Sequence, residues 1–263
     1  MDPRIRERRV EVRREEGKRR FRVFIGVTAI AALGVGGWAA GDSSLLDVDR
    51  IVIVGAVHTE VGEARFASGV RRGEPLSGVD QDRAVRGLEA LPWVQDATVS
   101  RRWPDTVRIR VVEREPVAVT PSAGGGSALV DGSGRVLEWT HAPPPGLAVL
   151  AGLSPAGPAG STLGPDGAAA LAVAVALPAE LRARTVGVAP AEGGRGEVDI
   201  RLHPDGTVRL GPPEDLQRKF DAIRTVLAQV DLRNLAAIDV RRPDSPVLTR
   251  RESPVNVSTP RVG

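Results

Sequence analysis

The chain has 263 residues, enough for one or two domains with cores of their own. It contains no Cys, which excludes disulfides, thiol catalysis and cysteine metal sites. Its three His (His58, His141 and His203) are so far apart that a metal site or a triad would need the fold to gather them. The isoelectric point near 10.3 belongs to one end: residues 1–22 hold ten Lys/Arg against five Asp/Glu, leaving 26 against 28 elsewhere. The globular part is therefore near neutral, and a nucleic-acid partner is not implied.

Residues 1–22 form a basic tail, expected to stay solvated or to lie along an anionic membrane surface. Val23 to Gly41 follows, nineteen residues without a charge. A helix of that length rises about 28 Å, close to a hydrocarbon core. Phe24, Ile25, Val27, Ile30, Leu33 and Val35 supply its apolar surface, and Trp38 sits where an interfacial aromatic would anchor the outer end. With Lys/Arg before it and Asp42, Asp47 and Asp49 after it, the expected topology is N-terminus inside and C-terminus outside. A cleaved signal peptide ending after Gly41, with Ala39 at −3, and a buried soluble helix are the competing readings. The long tail and the length of the apolar run favour an uncleaved anchor.

A strand is expected over Val48 to Val54, closed by Gly55. Thr59 is placed to cap a short helix whose apolar side is Val61, Ala64 and Phe66, and Asp80 to cap a second carrying Ala84, Leu88 and Leu91. Val94, Ala97 and Val99, then Val107, Ile109 and Val111, alternate on either side of Trp103-Pro104-Asp105. That predicts a hairpin with one buried face and arginines on the other. The order is β-α-α-β-β, an α+β unit with two helices on one sheet face.

Beyond Pro116 and the connector Thr120 to Gly126, Asp131-Gly132-Ser133-Gly134 reads as a hairpin turn between Ala128–Val130 and Arg135–Leu137. Ala168 to Leu177 predicts an Ala-rich helix. Strands are expected at 186–188, 197–202 and 207–210. Pro213 opens a helix with a Leu216, Phe220, Ile223, Leu227, Val230 stripe. A last strand, Ala237 to Arg241, leads into Arg242-Pro243-Asp244-Ser245-Pro246-Val247-Leu248, and residues 249–263 are expected to be a disordered tail.

The words Leu91-Pro92-Trp93-Val94, Val99-Ser100-Arg101, Arg102-Trp103-Pro104, Asp105-Thr106-Val107 and Glu113-Arg114-Glu115-Pro116-Val117-Ala118 occur in one order, after a Val48-to-Gly55 opening. In these words and in its topology the chain resembles the FtsQ/DivIB cell-division family, firmly over about residues 45–120. Its Ala-, Gly-, Val-, Arg- and Pro-rich composition with two Lys is actinobacterial-like. The resemblance implies a transmembrane helix at 23–41, a POTRA domain at 45–116 and a second domain at 117–248, mixed α/β on a mainly antiparallel sheet. It implies a non-enzymatic divisome scaffold at the septum that binds FtsB and FtsL and, through them, bears on septal peptidoglycan synthesis by FtsW and its transpeptidase. The family's docking edge maps to Val240, Arg241, Arg242, Ser245, Val247 and Leu248. Pro243 and Pro246 are expected to shorten any ladder there. A translocation or assembly factor that binds clients by strand addition is the alternative. No Gly loop, nucleophile elbow or metal-ligand spacing is present in the sequence, so no catalytic residue, metal or cofactor is assigned.

Overall fold

The computed structural model describes residues 24–28, 30, 46–193, 195–229 and 235–250. The basic tail, Leu33, Val35, Trp38 and residues 251–263 lie outside them. The described chain forms two compact units. One takes the residues up to Leu88 together with Asp96–Val112; the other takes Glu89–Gln95 and the residues from Glu113 on.

The first unit runs β1 (Arg50–Val54), α1 (Val61–Ser68), a single 3-10 turn at Leu76–Gly78, α2 (Gln81–Glu89), β2 (Val94–Arg102) and β3 (Thr106–Glu113). This is the β-α-α-β-β order. Its sheet is ordered β1-β3-β2, with β1 parallel to β3, so Ile51 lies beside Val107 and Ile53 beside Ile109. Val107, Ile109 and Val111 form the buried row of β3, while Ala64, Leu76, Ala84 and Leu88 are buried from the helical side. Asp80 accepts from the Arg83 N–H at 3.0 Å, capping α2. The Gln81 amide donates to the Val99 carbonyl at 2.9 Å, holding the start of α2 to β2.

Two glycines are dictated by close approach. Gly55 has φ +90, and a Cβ there would stand 2.1 Å from the Val111 carbonyl oxygen. A Cβ on Gly87 would stand 2.0 Å from the Ala67 carbonyl oxygen, so α1 and α2 pack in contact only because that side chain is missing.

The short helix α1 differs from expectation. Its N-cap is Glu60, with no side-chain cap bond, and Thr59 is buried. Only Ala64 and Ser68 are buried along it; Val61 and Phe66 face solvent, Phe66 at 90% exposure. Its inward surface has room for small side chains only.

The second unit comprises β4 (Pro116–Pro121), β5 (Ser127–Asp131), β6 (Val136–Thr140), β7 (Ala148–Val149), α3 (Pro165–Ala176), α4 (Ala179–Arg182), β8 (Thr185–Pro190), β9 (Val198–Leu202), β10 (Thr207–Gly211), α5 (Leu216–Leu227), β11 (Leu235–Asp239) and β12 (Val247–Arg250). Strands β6-β5-β4-β7 make one sheet and β12-β11-β10-β9-β8 another. They meet where Leu150 pairs with Val188 and the Ala151 N–H donates to the Val188 carbonyl at 2.8 Å. Both sheets are mainly antiparallel, as expected, and each is mixed by one parallel pair, β7 with β4 and β11 with β10. The parallel β10–β11 pair follows from α5, which supplies the crossover between them.

Leu171 and Val173 of α3 and Phe220 and Ile223 of α5 join the apolar row Val198, Ile200, Val208, Leu210, Leu235 and Ile238 in one core. Each such side chain contributes about 2 kcal/mol by leaving water. Helix α5 starts at Leu216, after Glu214 and Asp215, and carries Lys219 on its buried side. The Lys219 Nζ donates to the Pro212 carbonyl at 2.7 Å. Burial pulls its pKa down against the opposing pull of Glu214 and Asp215. Val230, the last residue of the expected stripe, lies outside the described residues.

Candidate partner-binding edge

Strand β12 ends the five-stranded sheet. Val247 pairs with Asp239, Leu248 with Ile238, Thr249 with Ala237 and Arg250 with Leu235. No described strand lies on its other side. Four residues give an open rail of about 13 Å, with backbone donors and acceptors directed outward. The strand forms because Val247, Leu248 and Thr249 are a β-favouring run with one apolar residue turned inward. Leu248 packs on the core, while Val247 is 61% exposed and Thr249 and Arg250 are exposed.

The two prolines occupy a different place from the one expected. Pro243 and Pro246 lie in the turn between β11 and β12, where the Ser245 N–H donates to the Arg242 carbonyl at 3.1 Å. Both precede the strand, so neither removes a donor from Val247–Arg250. An exposed Arg218–Asp244 pair at 3.7 Å connects that turn to α5, a contact of small energetic weight.

The residues assigned to the edge separate into two groups. Val240 is fully buried, and its N–H donates to the Arg209 carbonyl at 3.0 Å, so its side chain serves the core. Arg241, Arg242, Ser245 and Val247 are exposed, and Leu248 is half-buried. Arg241 forks across Asp239: Nε donates to both carboxylate oxygens at 3.1 and 3.0 Å, and a terminal nitrogen donates at 2.6 Å. Those hydrogen bonds hold the Asp239 carboxyl below its ordinary range despite partial burial.

Beside the rail, the sheet face carries an open groove of about 600 Å³ whose lining includes Glu197, Asp199, Arg201, Arg209, Arg241 and Thr249. Burial raises the Asp199 pKa. Arg209 and Arg241 oppose that shift, while Glu197 and Glu192 add to it. A partner strand laid against β12 would thus meet a backbone ladder, an exposed valine and a groove of mixed charge.

The resemblance puts Val247 and Leu248 on the docking edge, but the residue pattern ends its last strand at Arg241 and does not mark Val247–Arg250 as a strand of its own. The β-branched Val247 and Thr249, flanking Leu248 directly after Pro246, were the available signal. Of the expected membrane-anchor residues, Phe24, Ile25, Val27 and Ile30 are among the described residues, where they are helical and exposed. Among the described residues no helix is long and apolar enough to cross a membrane, and no group of three or more His, Cys, Asp or Glu is disposed to hold a metal ion.

Residues 46–114 match the family described as POTRA domain, FtsQ-type. Residues 118–241 match the family described as Cell division protein FtsQ/DivIB, C-terminal. The chain is 32% identical over 236 residues to the Cell division protein FtsQ of Streptomyces bingchenggensis, covering 88% of this chain and 87% of that one. The protein of the same name from Streptomyces collinus is 30% identical over 243 residues, 89% and 90% of the two chains. That of Corynebacterium glutamicum is 33% identical over 130 residues, 49% and 56%.

Proposed function

The chain belongs to the FtsQ/DivIB family of cell division proteins, and from that premise we propose that it is a non-enzymatic, membrane-tethered scaffold of the divisome. Its β12 edge captures the FtsB homologue by strand addition, with FtsL joining the same assembly. Through that assembly the chain bears on septal peptidoglycan synthesis by FtsW and its transpeptidase. The carrying observation is the outer side of β12, a four-residue rail at the end of the five-stranded sheet with no described strand beside it. Main-chain hydrogen bonds along the rail supply affinity, and the adjoining groove reads the partner's side chains.

Val23 to Gly41 is the proposed span, with residues 1–22 cytoplasmic and the two units outside. Such a tether confines the edge to the membrane plane and raises its effective concentration toward partners held there. The proposed domains are the POTRA domain at 45–116 and the second domain at 117–248, the latter extended to Arg250 to include β12.

The test is co-purification of the full-length protein with FtsB and FtsL homologues, beside a Val247→Asp variant. Val247 is exposed, so the substitution leaves the core intact. It is expected to weaken capture at least tenfold, by desolvating a carboxylate in the new interface. Unchanged capture would remove β12 as the docking site. Absence of both partners from the wild-type preparation would contradict the scaffold reading.

A further inference from the structure

On the first unit's sheet, the face turned away from α1 and α2 is ordered. The parallel register sets Arg50 beside Thr106, Val52 beside Arg108 and Val54 beside Arg110, with Val112 continuing the row. Thr98, Ser100 and Arg102 alternate outward along β2 against buried Ala97 and Val99. Val52 and Val54 are each 37% exposed and Val112 47%, and Arg102, Arg108 and Arg110 are exposed. Arg50 faces Asp105 at 3.6 Å. Among the described residues no carboxylate pairs with Arg102, Arg108 or Arg110. Asp96 is the other acidic side chain on this face, so the surface is net positive, with valines set among guanidinium groups.

We propose that this face docks on the anionic phospholipid headgroups of the membrane into which the chain is tethered. Guanidinium groups pair with phosphates in forked geometry, and valines between them suit the boundary between headgroup and acyl chain. The inference rests on the Val23–Gly41 span. If Gly41 ends it, residues 42–49 reach at most roughly 28 Å before Arg50 begins β1. That keeps the face within reach of the bilayer at high effective concentration. The cytoplasmic tail contributes nothing on this side of the membrane, so the charge of the sheet sets the contact.

Because the natural chain has no Cys, single cysteines report position without background. The experiment places a fluorophore at Thr98→Cys on the basic face, or at Glu63→Cys on exposed α1, in the full-length protein. The protein is reconstituted into nanodiscs of phosphatidylcholine with or without phosphatidylglycerol, and quenching by a headgroup-labelled lipid is read. The expected result is stronger quenching at Thr98 than at Glu63 in discs with phosphatidylglycerol, relieved by high salt. Combined Arg102→Gln, Arg108→Gln and Arg110→Gln substitutions should lower the docked-to-free ratio by about fivefold per arginine. Equal quenching of Thr98 in both lipids, or quenching indifferent to the three substitutions, would overturn the proposal. So would a triple variant that keeps its lipid contact and loses a protein partner, which would assign the face to an acidic protein surface. Failure of the chain to remain in the disc would instead refute the span, and with it the docking.

Discussion

Asp131 is 5% exposed and receives four hydrogen bonds that fix the turn between β5 and β6. The Arg114 guanidinium donates at 2.7 Å, the Ser133 hydroxyl at 2.7 Å, and the Ser133 and Arg135 N–H groups at 2.9 Å each. Arg114 also donates through Nε to the Val94 carbonyl at 3.0 Å, and Arg135 donates to the Ala90 carbonyl at 2.8 Å. Trp93 lies beside them, packed with Val119, Leu129 and Leu137. Trp93 and Arg114, one from each of the family words Leu91-Pro92-Trp93 and Glu113-Arg114-Glu115, are therefore joined in one cluster of the second unit, the Arg114 N–H donating to the Trp93 carbonyl at 2.8 Å. Burial pushes the Asp131 carboxyl up, but the hydrogen bonds from Ser133, Arg114 and Arg135 outweigh it and hold the pKa below the ordinary 3.8. A lowered folded pKa means that this stabilisation is fully present above about pH 4 and is lost as the pH falls through the folded value. Asp131→Asn should cost about 3 kcal/mol at neutral pH, since it leaves the Arg114 charge buried without its partner. It should also flatten the acid limb of a denaturant-unfolding profile. A profile with the same acid limb in wild type and variant would show that Asp131 carries no such stability. From the sequence, Asp131-Gly132-Ser133-Gly134 could be read as a turn, but the use of its carboxylate depends on Arg114, seventeen positions away.

At the scale of elements, α1 and α2 show how close packing can reverse a propensity rule. Gly87→Ala in an isolated helix gains about 1 kcal/mol. Here the new methyl meets the Ala67 carbonyl at 2.0 Å, so the expected outcome is a loss of about 2 kcal/mol as the helices separate. Thermal unfolding of the variant decides the sign, and a raised Tm would refute the contact. The β-α-α-β-β order was legible because Val107, Ile109 and Val111 alternate cleanly and Asp80 is a strong cap. Helix α1 was less legible: Val61 and Phe66 look like an apolar side, yet its buried positions hold only Ala64 and Ser68. In the second unit the sequence signalled β9, β10 and α5 but gave no sign of the parallel β10–β11 pairing, since crossover topology leaves no local periodicity. The edge followed the same pattern. Leu248 was assigned to it from family resemblance, whereas Val240, five positions before Ser245, proves to be a core residue.

For the whole molecule, the proposed division of labour runs from tether to edge. The first unit is a small sheet with one apolar face under two helices and a basic face left open. The second carries the larger core and β12, whose outer side has no described strand beside it. On the proposed reading neither needs a reactive group, since affinity for an added strand would come from backbone pairing and avidity from confinement to the membrane. If Val23–Gly41 is the tether, Leu33→Arg should cost about 3 kcal/mol of insertion and move the protein out of the membrane fraction. Retention of the variant in membranes would count against that segment as the span. The divisome role is measured most directly by depletion of this protein in its own cells, with a fluorescent fusion followed under the same conditions. A divisome scaffold is expected to give a fusion concentrated at mid-cell and, on depletion, cells that elongate without completing septa. A fusion spread evenly over the membrane, with division undisturbed by depletion, would contradict it.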